Sequence, residues 1–274
     1  MVFFIYAIIA VSFLLVVHEF GHFVLARLFG VKVEEFSIGF PPRLWSKEKN
    51  GVLYSLNAIP FGAYVKIADM EENSNTKAIA PDSFQAQPLI NKILILLGGP
   101  LFNILLAAII FFFLFWLGVL PPNMFGNNFI FSTEMNFGEA IITTVRFINF
   151  ISVEFVKGLG QLFINIFTKG NINDIMGPVG ITALTAQGFK QDAGVGFAIL
   201  GLMTYSLGVC NCFPIPALDG GRILFLLIEA IRKKSMDKKT EALITGICLA
   251  ILFIFMIVVT IKDINFFFIK KPFG

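Results

Sequence analysis

The chain has 274 residues, of which 57% are hydrophobic and only 14% are charged, and its mean hydropathy is +0.83. A water-soluble globule of this size could not hide that much apolar surface in its core, so its main solvent is lipid. The formal net charge of +3 is small, and no nucleic-acid partner is expected.

Charge is absent from residues 1–17, 93–120, 193–218 and 242–261. A bilayer-spanning helix needs roughly 20 predominantly apolar residues, and these runs predict transmembrane helices at about 1–29, 93–120, 194–217 and 241–262. A cleaved signal peptide is the competing reading of the first run. However, no basic region precedes it and no small-residue cleavage pattern follows it.

Between the first two predicted spans, Val33–Phe40, Val52–Ile59 and Ala63–Ala68 are β-prone runs broken by Pro41-Pro42, Asn50-Gly51 and Pro60. They predict a small antiparallel sheet over 33–68. Residues 69–88 are polar and predict a partly mobile loop. A Pro/Asn/Gly-rich connector occupies 121–137, and a helix is expected over 138–168. At 100° per residue its Glu139, Arg146, Glu154 and Lys157 fall within about 80° of one another, as in a helix lying along a membrane surface. A fifth span with its charges turned into a bundle is the alternative. The fold class expected is an all-α polytopic membrane protein with four transmembrane helices, a small membrane-associated β-sheet and an interfacial amphipathic helix, forming one membrane-embedded domain over 1–274.

Lys and Arg accumulate in short cytoplasmic loops. Of the 21 basic residues, eight lie from Arg27 to Lys92 and six from Arg222 to Lys239, against four between the second and third spans and three after the fourth. Both termini are therefore expected outside the cytoplasm. Cys210, Cys212 and Cys248 fall in apolar runs and read as small buried side chains, with no disulfide framework.

The chain contains two histidines, both in His18-Glu19-Phe20-Gly21-His22. This is HExxH, in which helix positions i and i+4 share a face, so two imidazoles can grip one zinc ion while Glu19 takes a proton from water. His18 lies about 26 Å along the helix from Met1, and ionisable groups at such depth are costly unless paired or functional. The competing reading is a polar helix end with both imidazoles hydrogen-bonded near the headgroups.

A catalytic zinc needs a third protein ligand. Asp219 is the first acidic residue after the 193–218 run, and Pro214 and Pro216 break the helix before it. Asp219 could instead cap a helix from about Arg222 to Lys233, and Cys210 or Cys212 could serve as ligands.

His18 to His22, Gly98-Gly99-Pro100-Leu101-Phe102-Asn103 and the Asn211–Gly221 stretch together resemble the site-2 protease family of intramembrane metalloproteases, in particular its regulator-of-sigma-E branch. Phe36 to Phe40, Pro60 to Lys66, Phe137 to Ala140 and Gly177-Pro178 extend the resemblance over nearly the whole chain. It implies that His18, His22 and Asp219 bind Zn2+, that Glu19 is the catalytic base and that the sheet dips into the membrane. It also implies that Asn211 and Asn103 steady the substrate or the site, against a purely interhelical role.

The partners implied are single-span membrane proteins and the lipid bilayer of a bacterial inner membrane, with an anti-sigma factor or a leftover signal peptide as substrate. Two departures stand out: 121–137 leaves no room for the PDZ domains usual in that branch, and Ala63 stands where Gly is common. The rival functions are a membrane metal-binding or transport protein and an inactive scaffold that binds transmembrane helices.

Overall fold

The computed structural model describes residues 2–70, 80–121, 124–126, 129–169, 175–234 and 236–266. In chain order these form α1 (Val2–Leu28), β1 (Val33–Lys49), β2 (Val52–Ile67), α2 (Leu89–Trp116), α3 (Phe137–Lys169), α4 (Pro178–Gln191), α5 (Ala193–Asn211), α6 (Asp219–Arg232) and α7 (Lys238–Ile264). Four helical stretches are long and apolar enough to cross a membrane: Ala7–Leu28, Leu89–Trp116, Ala193–Asn211 and Lys239–Ile264. The four expected spans are thus present. Along α7, Leu249, Ile251, Phe253 and Ile254 all face outward, an arrangement suited to a lipid surround rather than to water.

The residues group into two compact units, one of 8–104 and 207–250, the other of 1–7, 105–206 and 251–274. The core of the first unit gathers Ala26, Val33, Ile67, Phe84, Ile95 and Leu96 around the end of α1, the sheet and the start of α2. There α1 and α2 touch backbone to backbone. A Cβ on Gly21 would lie 2.2 Å from the Gly98 carbonyl oxygen, and one on Gly98 would lie 2.6 Å from that of Gly21, so any side chain at either position would force the helices apart.

The sheet is a hairpin of two long antiparallel strands turned at Asn50 and Gly51, both with left-handed φ (53° and 74°), as tight two-residue hairpins require. The expected breaks at Pro41-Pro42 and Pro60 are not strand ends, because β1 and β2 run through them. Register shifts between Phe40 and Arg43 put the prolines where the ladder slips and asks for no N–H from them. Phe36 pairs with both Tyr54 and Val65, and residues 35–38 all have partners on either side. Segments 43–49 and 63–67 form the margins.

Of the loop expected over 69–88, residues 71–79 lie outside the described residues. The rest is pinned, since Lys32 donates to Asp82 O (2.8 Å) and Phe84 to Ala68 O (2.9 Å).

In the second unit, α3 matches the expected helix and buries Ala140, Thr144, Phe147 and Ile151, a single stripe at helical spacing. Phe111, Phe115, Phe125, Phe129, Phe131 and Phe147 pack around it, with Phe147 centred 4.4 Å from both Phe111 and Phe125. Helix α4 has no counterpart among the predicted elements. Its N-terminus has no side-chain cap of its own, and Asp263 supplies one from α7, its Oδ2 accepting from Gly177 N and Gly180 N at 2.8 Å each.

The cysteines correct another expectation, for Cys210 and Cys248 are half-buried and Cys212 is exposed. Helix α5 stops at Asn211, which leaves Cys212 on a turn.

Candidate metal centre

His18 and His22 project from one face of α1, one turn apart, at 8% and 4% exposure. Their Nε2 atoms lie 3.3 Å from each other, and Asp219 Oδ2 lies 3.1 Å from the first and 3.4 Å from the second. Among the described residues these are the His, Cys and acidic side chains whose donor atoms converge to within 4.8 Å. Cys210 and Cys212 are not among them.

The three distances test whether a metal would fit. Two ligands at about 2.0–2.1 Å from a tetrahedral zinc subtend an edge of about 3.3–3.4 Å, and the observed triangle has nearly that edge on every side. Two neutral nitrogens and one carboxylate oxygen, with a fourth position left over, form the donor set of a catalytic rather than a structural site.

The orientation of each ligand has a visible cause. His22 Nδ1–H donates to Ile95 O at 2.8 Å, which fixes the tautomer and leaves Nε2 with its lone pair towards the triangle. The Asn103 amide lies 3.1 Å from His18 Nδ1 and is fully buried. As placed, the amide presents Nδ2 to that nitrogen; only with the amide turned over, Oδ1 accepting from Nδ1–H, is His18 held in the same tautomer.

Gly99 makes the room. A Cβ there would sit 2.5 Å from His22 Nε2 and 2.6 Å from His18 Nε2.

Asp219 is the first residue of α6, preceded by Leu218 as the N-cap without a side-chain cap bond. The helix expected from about Arg222 therefore begins three residues earlier, and Asp219 points its carboxylate at the imidazoles rather than capping. Gly220 and Gly221 permit this because a Cβ on either would strike carbonyl oxygens of the preceding turn, at 2.3 Å from Cys212 O and 2.1 Å from Ile215 O. Burial alone would push the Asp219 carboxyl up, but the hydrogen bonds and charges of His18 and His22 outweigh it and hold the group well below the usual carboxylate range.

Glu19 stands one residue round the helix and is not part of the triangle. Its Oε2 accepts the Val65 backbone N–H at 3.1 Å, which ties the carboxylate to the 63–67 margin of the sheet. Asn211 is placed differently from Asn103, since its amide nitrogen donates to Leu207 O (2.9 Å) one turn back in α5. Ile95, Val65 and Gly99 were not legible as site residues in the sequence, because the first two act through backbone atoms and the third through the absence of a side chain. In the sequence Gly99 stands out only within the Gly98–Asn103 segment that carries the resemblance.

The model of peptidase family M50 matches residues 6–255. The chain belongs to that family. This bears out the resemblance to the site-2 proteases read from its motifs. Among similar proteins, one from Clostridium acetobutylicum is 29% identical, over 94% of this chain and 96% of its own length. Another from Clostridium perfringens is 28% identical, over 96% and 98%. A Helicobacter pylori protein is 46% identical over a shorter stretch of 114 residues, 40% of this chain and 33% of its own. All three are provisionally named zinc metalloproteases.

Proposed function

We propose that this M50 peptidase is a zinc-dependent endopeptidase that hydrolyses peptide bonds within the transmembrane segments of single-span membrane proteins. The near-equilateral triangle of His18, His22 and Asp219 carries the reading, because its edge is the one a tetrahedral zinc demands. The relatives' names support the choice of metal. When bound, zinc would supply Lewis acidity towards water and towards the carbonyl to be cut.

The chain's own residues supply the rest. The Val65 N–H engages Glu19 Oε2, so Oε1 is the oxygen that takes a proton from the attacking water and returns it to the leaving amine. His22 and His18 are held in register by Ile95 O and Asn103, and Asn103 acts here as a positioning residue.

A substrate helix hides its peptide bonds and must unwind locally. The 63–67 margin, already joined to Glu19 through Val65, is a strand edge on which the freed segment can pair. The exposed apolar side chains of Ile38, Phe40, Leu44 and Ile59 suit a sheet that enters lipid at that end, while Lys47, Glu48 and Lys49 stay in water. Asn211, whose amide oxygen remains available, is the candidate to hold substrate backbone.

The setting is a bacterial inner membrane with both termini on the non-cytoplasmic side, and the substrate is an anti-sigma factor or a remnant signal peptide. The alignment with the Clostridium acetobutylicum relative runs to 333 positions against 274 residues here. This supports the reading that the present chain is short of a segment found in its relatives, at the 121–137 connector.

The test is cleavage of a single-span reporter by the detergent-solubilised protein, with and without a chelator, beside Glu19→Gln. Chelator-sensitive cleavage that falls at least ~1,000-fold in Glu19→Gln, with zinc content unchanged, is expected. Zinc binding without cleavage in the unaltered protein would overturn the proposal in favour of a metal carrier or scaffold.

A further inference from the structure

We propose that the cleft between the start of α2 and the end of α6 binds the phosphate headgroup of an anionic phospholipid. The cleft measures about 300 Å³. Leu89, Leu226 and Ala230 contribute apolar side chains to its lining and Lys92, Lys233 and Lys234 basic ones. A membrane phosphodiester presents that combination, a compact anion on top of two hydrocarbon stems.

The level of the cleft selects the lipid. Lys92 lies in the first turn of the span Leu89–Trp116, and Lys233 and Lys234 directly follow α6, just before the span that opens at Lys239. Four spans crossed in alternation put the start of α2 and the end of α6 on one side of the membrane, so both walls of the cleft stand at the same membrane-water boundary. Around them Ile90, Leu227 and Ile231 are exposed, Ile231 at 82%, as suits side chains bathed in acyl chains. A soluble anion would gain nothing from such surroundings.

The charges are arranged for an incoming anion. Glu229 is the one acidic residue lining the cleft, and its Oε1 is engaged by the Met236 backbone N–H at 2.7 Å. Lys92 Nζ is steadied 3.4 Å from Gln85 Oε1 and 5.8 Å from the centre of the Phe84 ring. Lys233 adopts a left-handed φ of 51° as it ends α6, which turns the chain so that two consecutive lysines reach one cleft. The inference needs only the membrane setting and not the peptidase reading.

Native mass spectrometry of the purified full chain tests it, with phosphatidylglycerol, phosphatidylcholine of the same acyl chains, or inorganic phosphate added. The variants are Lys92→Gln, Lys234→Gln and Lys233→Asn, the last because asparagine tolerates the left-handed backbone. Lys47→Gln and Lys49→Gln, on the sheet, are controls.

Retention of phosphatidylglycerol over phosphatidylcholine, falling about fivefold per cleft lysine removed and kept in Lys92→Arg and in the controls, is expected. Equal retention of the two lipids would overturn the proposal. So would an equal loss in the controls, a loss in Lys92→Arg as large as in Lys92→Gln, or displacement of the lipid by inorganic phosphate at the same concentration.

Discussion

The candidate metal centre and the phenylalanine core solve opposite packing problems. At the centre, close approach is achieved by leaving side chains out, since Gly21, Gly98 and Gly99 let backbone meet backbone and imidazole. Around Phe147, which is fully buried, contact is achieved by filling space with rings. In lipid the burial of apolar surface drives association weakly, so both regions depend on fit. They should nevertheless fail differently: the core through lost stability, the centre through lost metal with the fold intact.

The largest effect belongs to the core. Phe147→Ala removes a ring in contact with at least four others and should cost about 3 kcal/mol of unfolding free energy, read as a lower denaturation midpoint in detergent. Zinc affinity of the folded fraction should stay within about twofold, which is within ordinary variant scatter. A variant that kept its stability and lost zinc would erase the contrast between the two regions.

Gly99→Ala is the converse. The added Cβ would fall within 2.6 Å of the Nε2 atoms of both His18 and His22, so zinc affinity should drop by about 100-fold, measured by competition with a chromophoric chelator, while the melting curve moves little. Asn103→Ala sharpens the same point one shell further out. It frees the His18 ring without intruding on it, and a loss of about 10-fold is expected.

Much of this was legible in the sequence, for reasons that can be named. HExxH is a local pattern whose geometry is fixed by one helical turn, and the four spans announce themselves by length and lack of charge. The convergence of Asp219 on the imidazoles was reachable because few acids stand near the end of an apolar run. What stayed hidden depends on chain segments far apart in sequence. The strands continue past Pro41-Pro42 because the register slips there. Helix α4, short and only moderately apolar, is capped by Asp263 from 83 residues away. The bond between Val65 and Glu19 is made by a backbone atom, which no residue type betrays.

The smallest expected effect lies in the sheet, at a carboxylate that belongs to neither region, and shows what a feature outside either strategy contributes. Burial pushes the Glu35 carboxyl up, but Ser55 donates to its Oε1 at 2.5 Å and Arg43 at 2.8 Å, and with Tyr64 these hold it below its ordinary value. A carboxyl depressed in the folded state stabilises the fold above its unfolded value, near 4.5, and that contribution disappears as pH falls through the folded value. Arg43 is 46% exposed, so the gain is only a few tenths of a kcal/mol.

Trp45 lies on the same strand and reports on it. In a Trp116→Phe background, its fluorescence midpoint in denaturant should fall slightly between pH 6 and pH 3. The fall should vanish in Glu35→Gln, which cannot titrate, whereas an unchanged slope in that variant would assign the effect to another group.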